Sequence, residues 1–322
     1  MKRILSLSVL AAGAAAILLT GCAQKPEQVR IALCPYTGDL PFFVAIEKGY
    51  FKKQGVEVAE TKCANSTEAL NALLADKVDV IAAISFSAML AAEIQAPGQI
   101  KMFQPGGETD KIVGSDLLVK KDSPLSDLMQ LKGKKIGTYT GATQLLYLKL
   151  FLKQAGLDPD KDVKIIQVGT ELQVPALEAG QFDALFTIEP YITIALQKDV
   201  AKVLVENPRV KYIVNPFISG AAATSSRFLK DNPKAVKRVY KAVTLALDFI
   251  RQNEMEARAV LPKYMPLDST LAQKSALLEW YKVDEPVDMA AIQKLSDLLY
   301  ENKVQSAPVK VADMFLSKEQ LQ

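Results

Sequence analysis

The sequence predicts an α/β fold of two similar lobes, and three observations carry that prediction. Short apolar strands alternate with helical segments at the rhythm of βαβ units and a parallel sheet. The alternation runs through one cycle to about Phe103 and starts again near Leu117. From about Ser226 the pattern turns mainly helical, so a helical tail is expected to pack on one lobe.

In the first cycle Val29–Leu33 is a compact strand ending in Cys34-Pro35-Tyr36-Thr37-Gly38-Asp39. Leu40 to Lys48 reads as a helix closed by Gly49. Gly55 to Thr61 alternates as a second strand. Ser66 or Thr67 caps a helix through Leu74, Val78–Ile84 is a third strand, and Ser85-Phe86-Ser87 opens another helix. Ile100–Phe103 is a fourth strand, and Pro105-Gly106-Gly107 after it reads as a hinge-side turn.

In the second cycle the strands are Leu117–Val119, Lys134–Tyr139, Val163–Val168, Phe182–Thr187 and Ala201–Val205. Thr140 to Thr143 turns into a helix over Gln144–Gln154. A helix over Glu171–Ala179 is interrupted by Pro175, and Glu189-Pro190-Tyr191 opens one more. In the tail, Asn232-Pro233 is a helix start, and Val236, Val239, Val243, Leu247 and Ile250 form a period-3.6 stripe of the kind that packs into a core.

The N-terminus supplies an address. Lys2 and Arg3 precede an apolar run from Ile4 to Leu19, long enough for a signal core and short for a membrane span. Leu19-Thr20-Gly21-Cys22 then resembles a bacterial lipoprotein signal, in which Cys22 becomes the lipidated first residue after residues 1–21 are removed. Residues 22–28 form a polar tether. The expected location is the bacterial cell envelope, lipid-anchored, at the outer face of the cytoplasmic membrane or in the periplasm.

Composition excludes several functions. Removing residues 1–21 lowers Lys plus Arg from 39 to 37 against 36 acids, a balance that argues against a nucleic-acid partner. With no histidine, a Ser-His-Asp triad, a histidine base and a His-dependent metal site are all ruled out. No metal and no cofactor are expected. Cys34 and Cys63 are left as either a disulfide, which the envelope permits, or two buried thiols.

Ligands of open α/β sheets bind beyond the carboxyl ends of strands. Four strand exits carry suitable residues: Tyr36 to Asp39; Ser85, Phe86 and Ser87; Tyr139, Thr140, Gly141 and Thr143; and Glu189 with Tyr191. Hydroxyls and free N–H groups at helix starts make an anion site, and the aromatic rings wall in an organic ligand. No lysine or arginine lies in these exits, which moves the reading toward a neutral, zwitterionic or amine-bearing ligand. Asp39 and Glu189 either meet such a ligand or stabilise their own helix starts.

Several segments together resemble the nitrate/sulfonate/taurine and thiamine-pyrimidine group of ABC-importer substrate-binding proteins. They are Leu40-Pro41-Phe42-Phe43-Val44-Ala45, Glu47-Lys48-Gly49-Tyr50-Phe51-Lys52, Gly55-Val56-Glu57-Val58, Lys77-Val78-Asp79-Val80, Leu131-Lys132-Gly133-Lys134-Lys135-Ile136-Gly137, Gly180-Gln181-Phe182-Asp183-Ala184 and Phe228-Leu229-Lys230-Asp231-Asn232-Pro233. The resemblance implies a type II periplasmic-binding-protein-like clamp, each lobe a mainly parallel sheet flanked by helices. Lobe 1 would combine residues 29–112 and 220–322, and lobe 2 residues 113–219. It also implies a monomer that is no enzyme and that closes on a small-molecule ligand. The closed form would dock on a membrane permease driven by an ATPase. A sulfonate or taurine-like ligand is favoured slightly over a pyrimidine-like heterocycle. A sensor lipoprotein that uses the clamp without transport is a third reading. A pyrimidine-synthesising enzyme of the same fold is disfavoured, since the histidine and cysteine-rich motif implied for it are missing.

Overall fold

The computed structural model describes residues 26–322. The segment expected to be a signal, and Cys22, expected to carry the lipid, lie outside the described residues. Eleven strands form two sheets among those described. The first holds β1 (Glu27–Leu33), β2 (Val56–Lys62), β3 (Val80–Ser85), β4 (Ile100–Glu108), β10 (Phe217–Ser225) and β11 (Glu279–Trp280), in the order β11-β4-β10-β3-β1-β2. The second holds β5 (Ser115–Lys120), β6 (Lys135–Tyr139), β7 (Lys164–Val168), β8 (Ala184–Ile188) and β9 (Ala201–Glu206), in the order β7-β6-β8-β5-β9. The chain crosses between sheets twice, after Glu108 and after Glu206.

Alternation along β1 shows how the first lobe is built. Val29, Ile31 and Leu33 enter a core with Phe42, Phe43, Val239 and Val243, whereas Ala32 faces the opposite core with Leu70, Leu73 and Leu90. Side chains of a strand point alternately to its two faces, so helices are needed on both. One is the 20-residue helix Pro233–Gln252, whose expected stripe from Val236 to Ile250 is buried. Each large apolar side chain sealed this way contributes roughly 1.5–3 kcal/mol relative to exposure. The tail then returns to the first sheet, where the Leu316 N–H donates to the Met102 carbonyl at 2.8 Å. No helix among the described residues is long and apolar enough to cross a membrane.

The sheets are mixed rather than mainly parallel. β1 pairs parallel with β2 and β3, and β6 with β7 and β8. β10 runs antiparallel to β3 and β4, and β5 antiparallel to β8 and β9. The reason is the crossings: β5 and β10 enter their sheets from the side where their neighbours end. Three further expectations change. Pro105-Gly106-Gly107 lies inside β4 between β10 and β11, not in a turn. Glu27 and Gln28, read as tether, begin β1. Pro175 sits in the first turn of helix Gln173–Glu178, where it removes no helical hydrogen bond and interrupts nothing. Cys34 and Cys63 are free, buried thiols.

Candidate ligand-binding cleft

The carboxyl ends of β1, β3 and β4 face those of β6, β8 and β9, and the crossing segments bound the space between. Two adjoining cavities of about 770 and 470 Å³ occupy it. They share a wall of Thr67, Ser85, Tyr139, Ile188, Arg209 and Ser219. The larger is rich in hydroxyls and helix starts. The smaller is faced by Tyr36, Met265, Leu278 and Trp280, with Glu108 and Glu189 among its polar groups.

From lobe 1, Tyr36 reaches the smaller cavity and is well exposed there. Asp39 does not reach it. Its side chain is fully buried, with Oδ2 accepting the Cys34 N–H at 2.8 Å, so it braces the turn after β1 from below. Burial pushes its carboxyl well above the ordinary range, against the effect of that N–H. It makes no side-chain cap on the Leu40 helix either. Ser85 and Ser87 line the cleft, whereas Phe86 turns away into the lobe 1 core at 2 % exposure. Ser85 is the N-cap of the ten-residue helix Phe86–Gln95, and its side chain makes no capping bond.

From lobe 2, Tyr139, Thr140, Gly141 and Thr143 all line the larger cavity. Gly141 has φ +140°, a conformation side chains disfavour, and it starts the 13-residue helix Ala142–Gln154 with no side-chain cap. Glu189 lines the smaller cavity. Its carboxylate accepts Thr193 Oγ1 at 2.9 Å and Thr193 N at 3.2 Å, and also the Ala276 N–H of lobe 1 at 3.2 Å. Burial raises its pKa, and those donors work in the other direction. Tyr191 packs beside the small lobe 2 core and is not part of either cavity wall.

A cation does stand in the cleft, contrary to the expectation drawn from the four exits. Arg209 comes from a fifth exit, after β9, and is 5 % exposed. Its Nη1 donates to Glu108 Oε1 at 3.0 Å, and Nη2 donates to Tyr139 Oη at 3.0 Å and Gln144 Oε1 at 2.6 Å. Burial opposes its charge, but Tyr139 and Glu108 outweigh burial and raise its pKa. Glu206-Asn207-Pro208-Arg209 is a strand end followed by an Asn-Pro helix start, the same signal as Asn232-Pro233, and would have revealed it. Since Glu108 balances Arg209, the two uncapped helix starts and the hydroxyls remain to attract an anion. No cluster of three or more acidic or cysteine residues suited to a metal occurs among the described residues.

Two α/β lobes of mixed sheet, linked by two crossings and enclosing a polar cleft, make up the periplasmic-binding-protein fold. The chain belongs to the NMT1-like family, which it matches over residues 22–264. It is 26% identical over 312 residues to a Bacillus subtilis protein named for binding aliphatic sulfonates, covering 95% of this chain and 90% of that one. It is 25% identical over 227 residues to the 4-amino-5-hydroxymethyl-2-methylpyrimidine phosphate synthase THI13 of Saccharomyces cerevisiae, covering 68% of this chain and 65% of the yeast one. Among solved structures, the periplasmic aliphatic sulphonate binding protein SsuA from Escherichia coli superposes with a TM-score of 0.75 at 20% identity, covering 92% and 94% of the two chains. The desulfurization enzyme DSZB shares the fold at a TM-score of 0.69 and 15% identity, covering 91% and 97%. Proteins similar to this chain thus include binding proteins and enzymes.

Proposed function

We propose that the protein is the solute-binding component of an ABC import system, which captures a small organic anion of the sulfonate class between its lobes and delivers it to a membrane permease. The observation that carries this reading is the pair of uncapped helix starts at Ser85 and Gly141, one from each lobe, on the wall of one cavity. Backbone N–H groups at such starts bind anions, each contributing about 0.3–1 kcal/mol through the helix dipole. An anion touching both lobes favours closure, because an open clamp offers only one set of contacts. The name of the Bacillus relative supports the sulfonate class.

The same reading places the chain outside the cytoplasmic membrane, held by lipid on Cys22 and working as a monomer. It assigns the chain binding and no catalysis. A second reading, a pyrimidine-like heterocycle, draws on the aromatic faces of Tyr36 and Trp280 in the smaller cavity and on the name of the yeast relative. A thermal-shift panel of sulfonates, nitrate and pyrimidines on the full chain separates the two, because a bound ligand raises the midpoint by mass action. A shift with sulfonates supports the first reading. A shift with pyrimidines alone replaces it.

A further inference from the structure

The smaller cavity contains a polar side chain that the fold leaves without a partner. In the pairing of β4 with β10, Ala221 faces Pro105 and Ala222 faces Phe103, so Gln104 is the extra residue of a β-bulge. Its φ is +51°, in the left-handed region that residues with side chains seldom occupy. Its side chain lines the cavity, the residue is 4 % exposed, and its Oε1 is buried with no donor among the described residues. Glycine would meet the backbone requirement of this bulge without strain and without an orphaned amide. A glutamine here bears both costs, and the bulge keeps its side chain in the wall of the smaller cavity.

We propose that Gln104 is a specificity-determining residue whose amide oxygen receives an N–H or O–H donor from the bound solute. The inference rests on the sulfonate reading above and narrows it to bipolar organosulfonates. The acidic head lies at the helix starts, and an amino or hydroxyl end lies at Gln104. Ser85 and Tyr139 stand on the wall common to both cavities, so one molecule can span them. A plain alkanesulfonate would leave the buried amide unpaired, which is the basis on which hydrogen-bonding sites reject analogues.

The test compares taurine with 1-propanesulfonate, which replaces the ammonium by a methyl group, using calorimetric titration of the full chain. Wild type is expected to favour taurine by about tenfold or more. Gln104→Gly, which suits the left-handed backbone, should keep or raise the melting temperature while abolishing that preference; Gln104→Leu should abolish it too. An unchanged preference in Gln104→Gly overturns the assignment, as does an equal loss of affinity for both sulfonates. If neither sulfonate binds wild type, the sulfonate reading falls, and Gln104 is judged by the same criterion on 4-amino-5-hydroxymethyl-2-methylpyrimidine against its 4-methyl counterpart. If neither pair binds, both proposals fall.

Discussion

Arg209 Nη1 lies 3.0 Å from Glu108 Oε1, and the two side chains are 6 % and 2 % exposed. Glu108 ends the last strand before the first crossing, and Arg209 follows the last strand before the second, so the pair ties the two crossings together. Its second oxygen accepts Ser115 Oγ at 2.6 Å. Removing one member of a buried pair strands the other charge, which costs about 3–5 kcal/mol. Glu108→Ala is therefore expected to lose that much stability in urea unfolding. The double variant Glu108→Leu/Arg209→Met should lose less than the sum of the two single changes. Additive losses would show that the two side chains act independently.

Asp116 gives the stability a pH dependence of definite sign. Burial, reinforced by Glu189, Glu206 and Glu108, pushes its carboxyl up to about 7, although the Asn207 N–H donates to it at 3.0 Å. A carboxyl raised in the folded state holds its proton better folded than unfolded. Its contribution is thus complete below the unfolded value of 3.8 and is lost as pH rises toward 7. Asp116→Asn keeps the acceptor for Asn207 and removes the titration. Its melting temperature should exceed that of wild type at pH 8, with the gap closing toward pH 5 at up to about 1.4 kcal/mol per pH unit. A constant gap across that range would exclude Asp116 as the titrating group.

What was legible in the sequence follows from how local each signal is. The stripe from Val236 to Ile250 and the helix start at Leu40 depend on neighbours within a few residues, and both are where periodicity places them. The mixed sheets depend on where the chain re-enters after crossing, which no local pattern records. Ser85, Tyr139 and Glu189 line the cleft because strand exits can be recognised one at a time. Asp39 and Phe86 sit at the same exits but point into the protein, since a turn aims successive side chains to opposite sides. Arg209 escaped notice because it lies beyond a fifth exit, and Gln104 because a bulge is a property of two paired strands.

Gly107 illustrates the same point at β4. A Cβ there would overlap the Phe217 carbonyl oxygen and come within 2.8 Å of Ile218 Cα, both backbone atoms of the paired strand. Neither can move without breaking the β4–β10 ladder, which carries the second crossing into the first sheet. Gly107→Ala should destabilise by more than about 3 kcal/mol, at the high end of single substitutions. Gly98→Ala is the control for expression and handling, since its added Cβ meets nothing within 4 Å and only its φ of +73° costs stability, about 1–2 kcal/mol. Comparable thermal midpoints for the two variants would show that β4 and β10 can separate at little cost.

Glu189 bridges the two sides of the cleft. It joins the Thr193 turn of lobe 2 to the Ala276 N–H of lobe 1, and Lys274 Nζ donates to Gln197 Oε1 at 2.5 Å beside it. Opening the clamp breaks the Ala276 bond but not the two bonds to Thr193, so the carboxylate favours the closed arrangement by the net value of one charged hydrogen bond, about 1.5–3 kcal/mol. Glu189→Ala should shift the unliganded protein toward open forms, seen as a larger radius of gyration in X-ray scattering. Ligand affinity should fall by about tenfold or more, because part of the binding energy must then drive closure. Loss of the Thr193 cap adds about 1 kcal/mol of destabilisation. If affinity falls while the unliganded radius is unchanged, Glu189 acts on the ligand directly and the latch is not its role.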